Sequence, residues 1–172
     1  MTSRFNSPAT LLLSLGLLLS THTATAQQDE LLITLGFASA PSFSEESSQR
    51  GAYLPLWVAQ PRAFTRETGY YLNVGIPEAE LFKSSDVNRH SVTVVSAGLT
   101  YQVTDNVYLF GGPGYSYQRQ TFFNYDTQSR HRLNGNIGIA FIGEKFGVHL
   151  NYDSGPNAFG IGFVTRTRWL GN

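Results

Sequence analysis

Residues 136–153, NIGIAFIGEKFGVHLNYD, alternate with period two on either side of a short polar break. Ile137, Ile139 and Phe141 share one parity, and Phe146, Val148, Leu150 and Tyr152 share one parity after the break. The opposite positions hold Asn136, Gly138 and Ala140, then Gly147, His149, Asn151 and Asp153. A period of two predicts two strands, each with one large apolar face and one small polar face.

The same texture recurs along the chain. In 31–38, Leu31, Ile33, Leu35 and Phe37 alternate with Leu32, Thr34, Gly36 and Ala38; in 69–76, Tyr70, Leu72, Val74 and Ile76 alternate with Gly69, Tyr71, Asn73 and Gly75. Further strands are predicted over 91–103, 107–118 and 158–169, and over 52–64 despite Pro55 and Pro61, each of which removes a ladder donor. Within 107–118 the aromatic parity changes across GGPG at 111–114. A β-bulge there would return Tyr108, Phe110, Tyr115 and Tyr117 to one face and accommodate Pro113.

These segments make eight predicted strands. The polar stretches 41–51, 77–90 and 119–131 are long connections, whereas those at 65–68, 104–106 and 142–145 are tight turns; Ser154 to Asn157 closes the last hairpin. Long connections on one side and short turns on the other fit a bacterial outer-membrane barrel, with the short turns and both termini in the periplasm.

Which face is inside follows from register. Opposite residues of antiparallel strands share a face. Pairing Phe141 with Phe146 would set Gly138 opposite His149, Asn136 opposite Asn151 and Asn134 opposite Asp153; pairing Asp153 with Ala158 sets Gly162 beside His149 and Gly160 beside Asn151. His149 would then lie between two glycines, as a narrow lumen holding a few bulky polar groups requires. A water-soluble sandwich would instead bury the large apolar residues and expose Lys, Glu and Thr. Charged residues are 14% of the chain, low against roughly a quarter in soluble domains. Ile137, Ile139, Val148 and Leu150 are therefore expected to meet acyl chains, with Tyr70, Tyr101, Tyr115, Tyr152 and Trp169 in aromatic girdles.

Composition narrows the class further. Arg4 precedes an apolar run from Ala9 to Leu19 and the small-residue site Ala24-Thr25-Ala26, so 1–26 reads as a cleaved secretory signal and 27–172 as one barrel domain. The run is shorter than the roughly 18–20 residues of a spanning helix. Lys plus Arg equal Asp plus Glu at 12 each, which gives no sign of a nucleic-acid partner. With no cysteine in the chain, disulfides, thiolate metal sites and cysteine nucleophiles are excluded.

The stretches GLTYQVTDNVYLFGGPGYSY and FGVHLNYDSGPNAFGIGF resemble the later hairpins of small eight-stranded outer-membrane proteins of the OmpA and OmpX kind, a porin-like β-barrel group. The resemblance covers 91–169 well and 31–76 weakly. It implies an all-β, eight-stranded antiparallel up-and-down transmembrane barrel, lipid as its surroundings, and the barrel-assembly machinery as its partner during biogenesis. Members end in an aromatic residue which that machinery recognises; here Trp169 lies three residues before the end. Location and fold follow from such a resemblance far more than activity does.

Candidate chemistry is sparse. His149, Asp153 and Ser154 suggest a triad, but residues four apart on a strand are separated by roughly 13 Å, too far for a carboxylate to orient the base. HLNYDSGPN has a distant likeness to the His-x-Ser-Asn element of small lipid A deacylase barrels, with Asn151 where the nucleophile would stand. Asn134, Asn136, His149, Asn151 and Asp153 are instead expected to satisfy one another in a closed polar lumen. His22, His90 and His131 have no second metal ligand at useful spacing. Two outer connections offer a binding surface, Glu45-Glu46 in one and Phe122, Phe123 and Tyr125 in the other; the aromatics equally suit a girdle.

The sequence thus points to a monomeric, cofactor-free, non-enzymatic barrel of a Gram-negative outer membrane, structural or acting through its outer loops. Two other classes compete: an outer-membrane enzyme modifying lipid A, and a soluble periplasmic β-barrel binding a small apolar ligand.

Overall fold

The computed structural model describes residues 30–43, 50–78, 89–122 and 126–168. Eight strands, β1 (Glu30–Ala40), β2 (Gly51–Gln60), β3 (Thr68–Pro77), β4 (Arg89–Thr104), β5 (Val107–Thr121), β6 (Thr127–Ile142), β7 (Phe146–Asp153) and β8 (Ala158–Arg168), pair in chain order and close β8 onto β1. Consecutive pairs are all antiparallel, and a single parallel bridge, Ala52↔Ser91, joins β2 to β4 just beyond the end of β3. Residues 1–26, expected to be a signal, and Trp169 lie outside the described residues.

The two faces divide as the alternation requires. Leu35, Phe37, Leu99, Ile137, Leu150, Ile161 and Phe163 are exposed on the outside, and His149, Asp153, Ser116 and Gln120 are wholly buried within. This apolar-out, polar-in arrangement is the inverse of a water-soluble β-barrel. Tyr101 and Tyr115 also face outward and exposed, with Tyr70 and Tyr152 half-buried on the same surface.

Four expectations from the sequence are corrected. No bulge interrupts GGPG: Ser96↔Gly114 and Leu99↔Gly111 keep one register, so Tyr108 and Phe110 point inward while Tyr115 and Tyr117 point outward. The ladder opens between those two pairs instead, which accommodates the donor missing at Pro113. There Gly98 and Gly112 bring β4 and β5 so close that a Cβ on Gly112 would lie 2.1 Å from the Ala97 carbonyl. The register shift of this hairpin falls between Gln102 and Thr104.

The β6–β7 register is two residues from the expected one. Ile142 remains in the strand opposite Gly147, so Asn136 pairs with Asp153, Gly138 with Asn151 and Ala140 with His149. Its side chain is buried in the lumen, and Gly147 allows the approach, since a Cβ there would meet the Phe141 carbonyl at 2.0 Å. A shift of two preserves every side chain's face. His149 therefore lies between Ala140 and Gly162, not between two glycines.

β2 ends at Gln60, well short of Phe64, and a turn held by Phe64 and Thr65 N–H bonds to the Thr68 carbonyl leads into β3. Pro55 again sits at a gap, between Leu35↔Leu56 and Ala38↔Tyr53. Finally, most of 119–131 is strand. β5 and β6 stay paired up to Thr121↔Thr127, and Phe122 N–H bonds to the Asp126 carbonyl at 2.9 Å to close the tip.

Candidate functional site

The lumen is stratified. At the short-turn end Glu30 on β1 meets Arg166 on β8 at 2.6 Å, with Arg62 at 3.9 Å. Arg166 also donates to Tyr108 Oη and to the Asp105 carbonyl, each at 3.1 Å, and Arg62 donates to Gln102 Oε1 at 2.9 Å. These long side chains close that end of the barrel.

Above them lies an aromatic layer. Trp57 of β2, Tyr71 of β3 and Phe110 of β5 pack together, with His149 edge-on to Trp57 at 5.6 Å between ring centroids. Gly36 and Gly162 leave room for the imidazole, since a Cβ on Gly162 would lie 2.5 Å from His149 Cε1.

The next layer is polar and centres on Asp153. Its Oδ1 accepts from Asn134 Nδ2 at 2.6 Å and Asn136 Nδ2 at 2.9 Å; its Oδ2 accepts from Tyr53 Oη at 2.6 Å and Asn151 Nδ2 at 2.9 Å. Both oxygens are thus filled by neutral donors. Tyr71 Oη donates to Asn136 Oδ1 at 2.9 Å, and Asn134 Oδ1 accepts the Gly155 N–H at 2.8 Å. The network ties β2, β3, β6 and β7 with the loop that follows β7.

Of the polar residues expected to satisfy one another, Asn134, Asn136, Asn151 and Asp153 are in one network. His149 shares their face but belongs to the aromatic layer, and neither ring nitrogen has a hydrogen-bond partner among the described residues. Ser154 Oγ accepts the Gly135 N–H at 2.8 Å. His149, Asp153 and Ser154 therefore do not form a hydrogen-bonded triad. Sequence reasoning missed Tyr53, Tyr71 and the Glu30–Arg166 pair; the position of Tyr71 on the small face of its strand was the available signal.

At the opposite end, Gln118 bridges His90 and the Gly155 carbonyl, and Ser42 donates to Gln120 Oε1 at 3.0 Å. Here β5 and β6 continue as a hairpin to Thr121↔Thr127, with β4 paired to β5 as far as Arg89↔Thr121 and the β6 side projecting past β7. β7 pairs with β6 only as far as Asn136, and Gly135 is met by Ser154, so the β6 edge from Thr127 to Leu133 has no strand beside it among the described residues. The hairpin carries Arg119, Arg130 and Arg132, with Leu133 87% exposed and Tyr115 hydrogen-bonded to His131. Phe122 stands at its tip; Glu45, Glu46, Phe123 and Tyr125 lie outside the described residues. Among the described residues no cluster of three or more His, Asp or Glu side chains is placed to hold a metal.

No protein-family model and no curated protein matches the chain. Solved structures do. The crystal structure of Ail, the attachment invasion locus protein of Yersinia pestis, is similar at 17% identity and TM-score 0.55 over 82% of this chain and 100% of that one. Its complex with the heparin analogue sucrose octasulfate matches at 17% identity and TM-score 0.56 over 83% of this chain and 100% of that one. Ail in a phospholipid bilayer nanodisc matches at 16% identity and TM-score 0.55 over 81% and 99%. The described strands thus have the fold of a small eight-stranded outer-membrane β-barrel.

Proposed function

We propose that this protein is a non-enzymatic, monomeric barrel of a Gram-negative outer membrane that engages anionic surfaces through its projecting β5–β6 hairpin. In this reading lipid surrounds the apolar belt, the long connections face outward, and the barrel-assembly machinery inserts the chain after export. Eight strands with a filled lumen leave no room for general solute diffusion.

The observation that carries the proposal is the hairpin itself. Flanked by β4 as far as Arg89↔Thr121, it extends the sheet past the end of β7, and Arg119, Arg130 and Arg132 on it make no side-chain ion pair among the described residues. Arginine forks suit sulfate, phosphate and carboxylate groups. That the similar barrel Ail has been solved with a heparin analogue favours a sulfated glycan as the anion.

Retention of the detergent-solubilised protein on immobilised heparin tests this. Wild type should elute at higher salt than the Arg130→Ala/Arg132→Ala variant, both remaining folded by mobility shift on boiling. Equal elution of the two, or no retention at low salt, would contradict it.

A further inference from the structure

An open groove of about 480 Å³ lies on the outside of the barrel across β6, β7, β8 and β1, just inside the rim. Its walls are the outward side chains Phe37, Ile137, Leu150, Tyr152, Phe159 and Ile161. Asn151 contributes through its backbone, for its amide is engaged by Asp153 inside the lumen, and Gly160 adds no side chain.

The groove has a polar end. Ser39, which also lines it, is one register pair from the rim at Ala40↔Gly51 and lies beside Phe159. Arg50 sits above, immediately before β2, and donates from Nε to Ser39 Oγ at 3.0 Å. That bond fixes the guanidinium over the groove mouth while its Nη groups hold no hydrogen bond or ion pair among the described residues. A cation anchored at the rim end of an apolar groove matches a molecule with an anionic head and an apolar tail.

We propose that the groove and Arg50 together form a specific seat for one phosphate-bearing acyl lipid of the outer leaflet. An acyl chain lies between Phe37, Ile161 and Leu150, and a phosphate oxygen accepts hydrogen bonds from the Arg50 Nη groups. The proposal rests on the outer-membrane reading above but concerns a different surface from the β5–β6 hairpin.

Native mass spectrometry of the protein purified from outer membranes tests it, with titration by hexa-acyl bisphosphorylated lipid A and by the same lipid dephosphorylated. Wild type should retain one phosphorylated lipid and discriminate against the dephosphorylated form. Arg50→Ala should weaken retention about tenfold, as expected for one charge-assisted contact. Ile161→Trp, which fills the groove while keeping it apolar, should weaken it as well, and Arg89→Ala, at the start of β4 and away from the groove, should leave it unchanged. Equal retention by wild type and Arg50→Ala, or of both lipid forms, would overturn the seat. An equal loss with Arg89→Ala would overturn it too, in favour of a diffuse basic rim. A mobility shift on boiling, run on the same samples, separates this failure from failure of the barrel reading.

Discussion

Tyr53 on β2 donates its hydroxyl to Asp153 Oδ2 on β7 at 2.6 Å, a bond that spans the lumen between strands that are not neighbours in the sheet. Tyr53→Phe removes a donor from a fully buried carboxylate and is expected to cost about 1.5–3 kcal/mol. Asp153→Ala should cost more, because Tyr53, Asn134, Asn136 and Asn151 all lose their shared acceptor. Urea unfolding in phospholipid vesicles measures both; an unchanged midpoint for Tyr53→Phe would show that the bond contributes nothing.

Leu150 and Asn151 are adjacent yet face opposite media, Leu150 46% exposed outside and Asn151 6% exposed inside. Leu150→Arg places a charge on the apolar belt, at about 2–4 kcal/mol near a bilayer midplane and at the insertion step itself, whereas Asn151→Ala deletes one hydrogen bond to the Asp153 carboxylate, about 1.5–3 kcal/mol, and leaves that group its three other donors. Yield of folded protein in outer membranes should therefore fall further for the first than for the second. The reverse order would mean that the faces are exchanged.

Gly138 is constrained by Phe110, not by His149. A Cβ at this position would lie 2.2 Å from Phe110 Cζ and 2.5 Å from the Leu150 carbonyl. Gly138→Ala should destabilise the barrel by about 1–3 kcal/mol, as overpacking does. Phe110→Leu in the same chain should recover part of that loss, while changes at His149 should recover none, as thermal unfolding of the double variants will show.

Arg166→Ala leaves Glu30, only 5% exposed, with Arg62 at 3.9 Å as its nearest cation. The expected loss is about 1.5–3 kcal/mol for the charge-assisted bond. Because the pair joins β1 to β8, the seam that closes the barrel, amide exchange in those strands should accelerate more than in β4 and β5. Uniform acceleration would contradict the local role.

The period-two alternation made strand identity and facing legible, because in β1, β6, β7 and β8 most outward positions are large and most inward ones small or polar. Parity also survives a two-residue slip, so the wrong register at Phe141 and Phe146 still placed Asn136, Asn151 and Asp153 inside. Exact register was not legible, since it depends on Ile142 entering the lumen and on Gly147 admitting it. GGPG misled for a related reason: an aromatic pattern suggested one face, whereas Tyr108 and Phe110 fill the interior and Tyr115 and Tyr117 the exterior. The reach of the β5–β6 hairpin was hidden because RQTFFNYDTQSRH lacks apolar alternation, and cross-strand pairing alone keeps most of it extended. Tyr53 went unrecognised as a partner of Asp153 because the contact joins residues a hundred positions apart.

The most direct test of the barrel account is electrophoresis of boiled and unboiled samples of the protein recovered from fractionated envelopes. The account predicts an outer-membrane species whose mobility changes on boiling, as the closed, apolar-faced barrel resists detergent until heated. A soluble species with no shift would contradict it, and would turn the apolar residues from Leu35 to Phe163 inward as the core of a periplasmic protein.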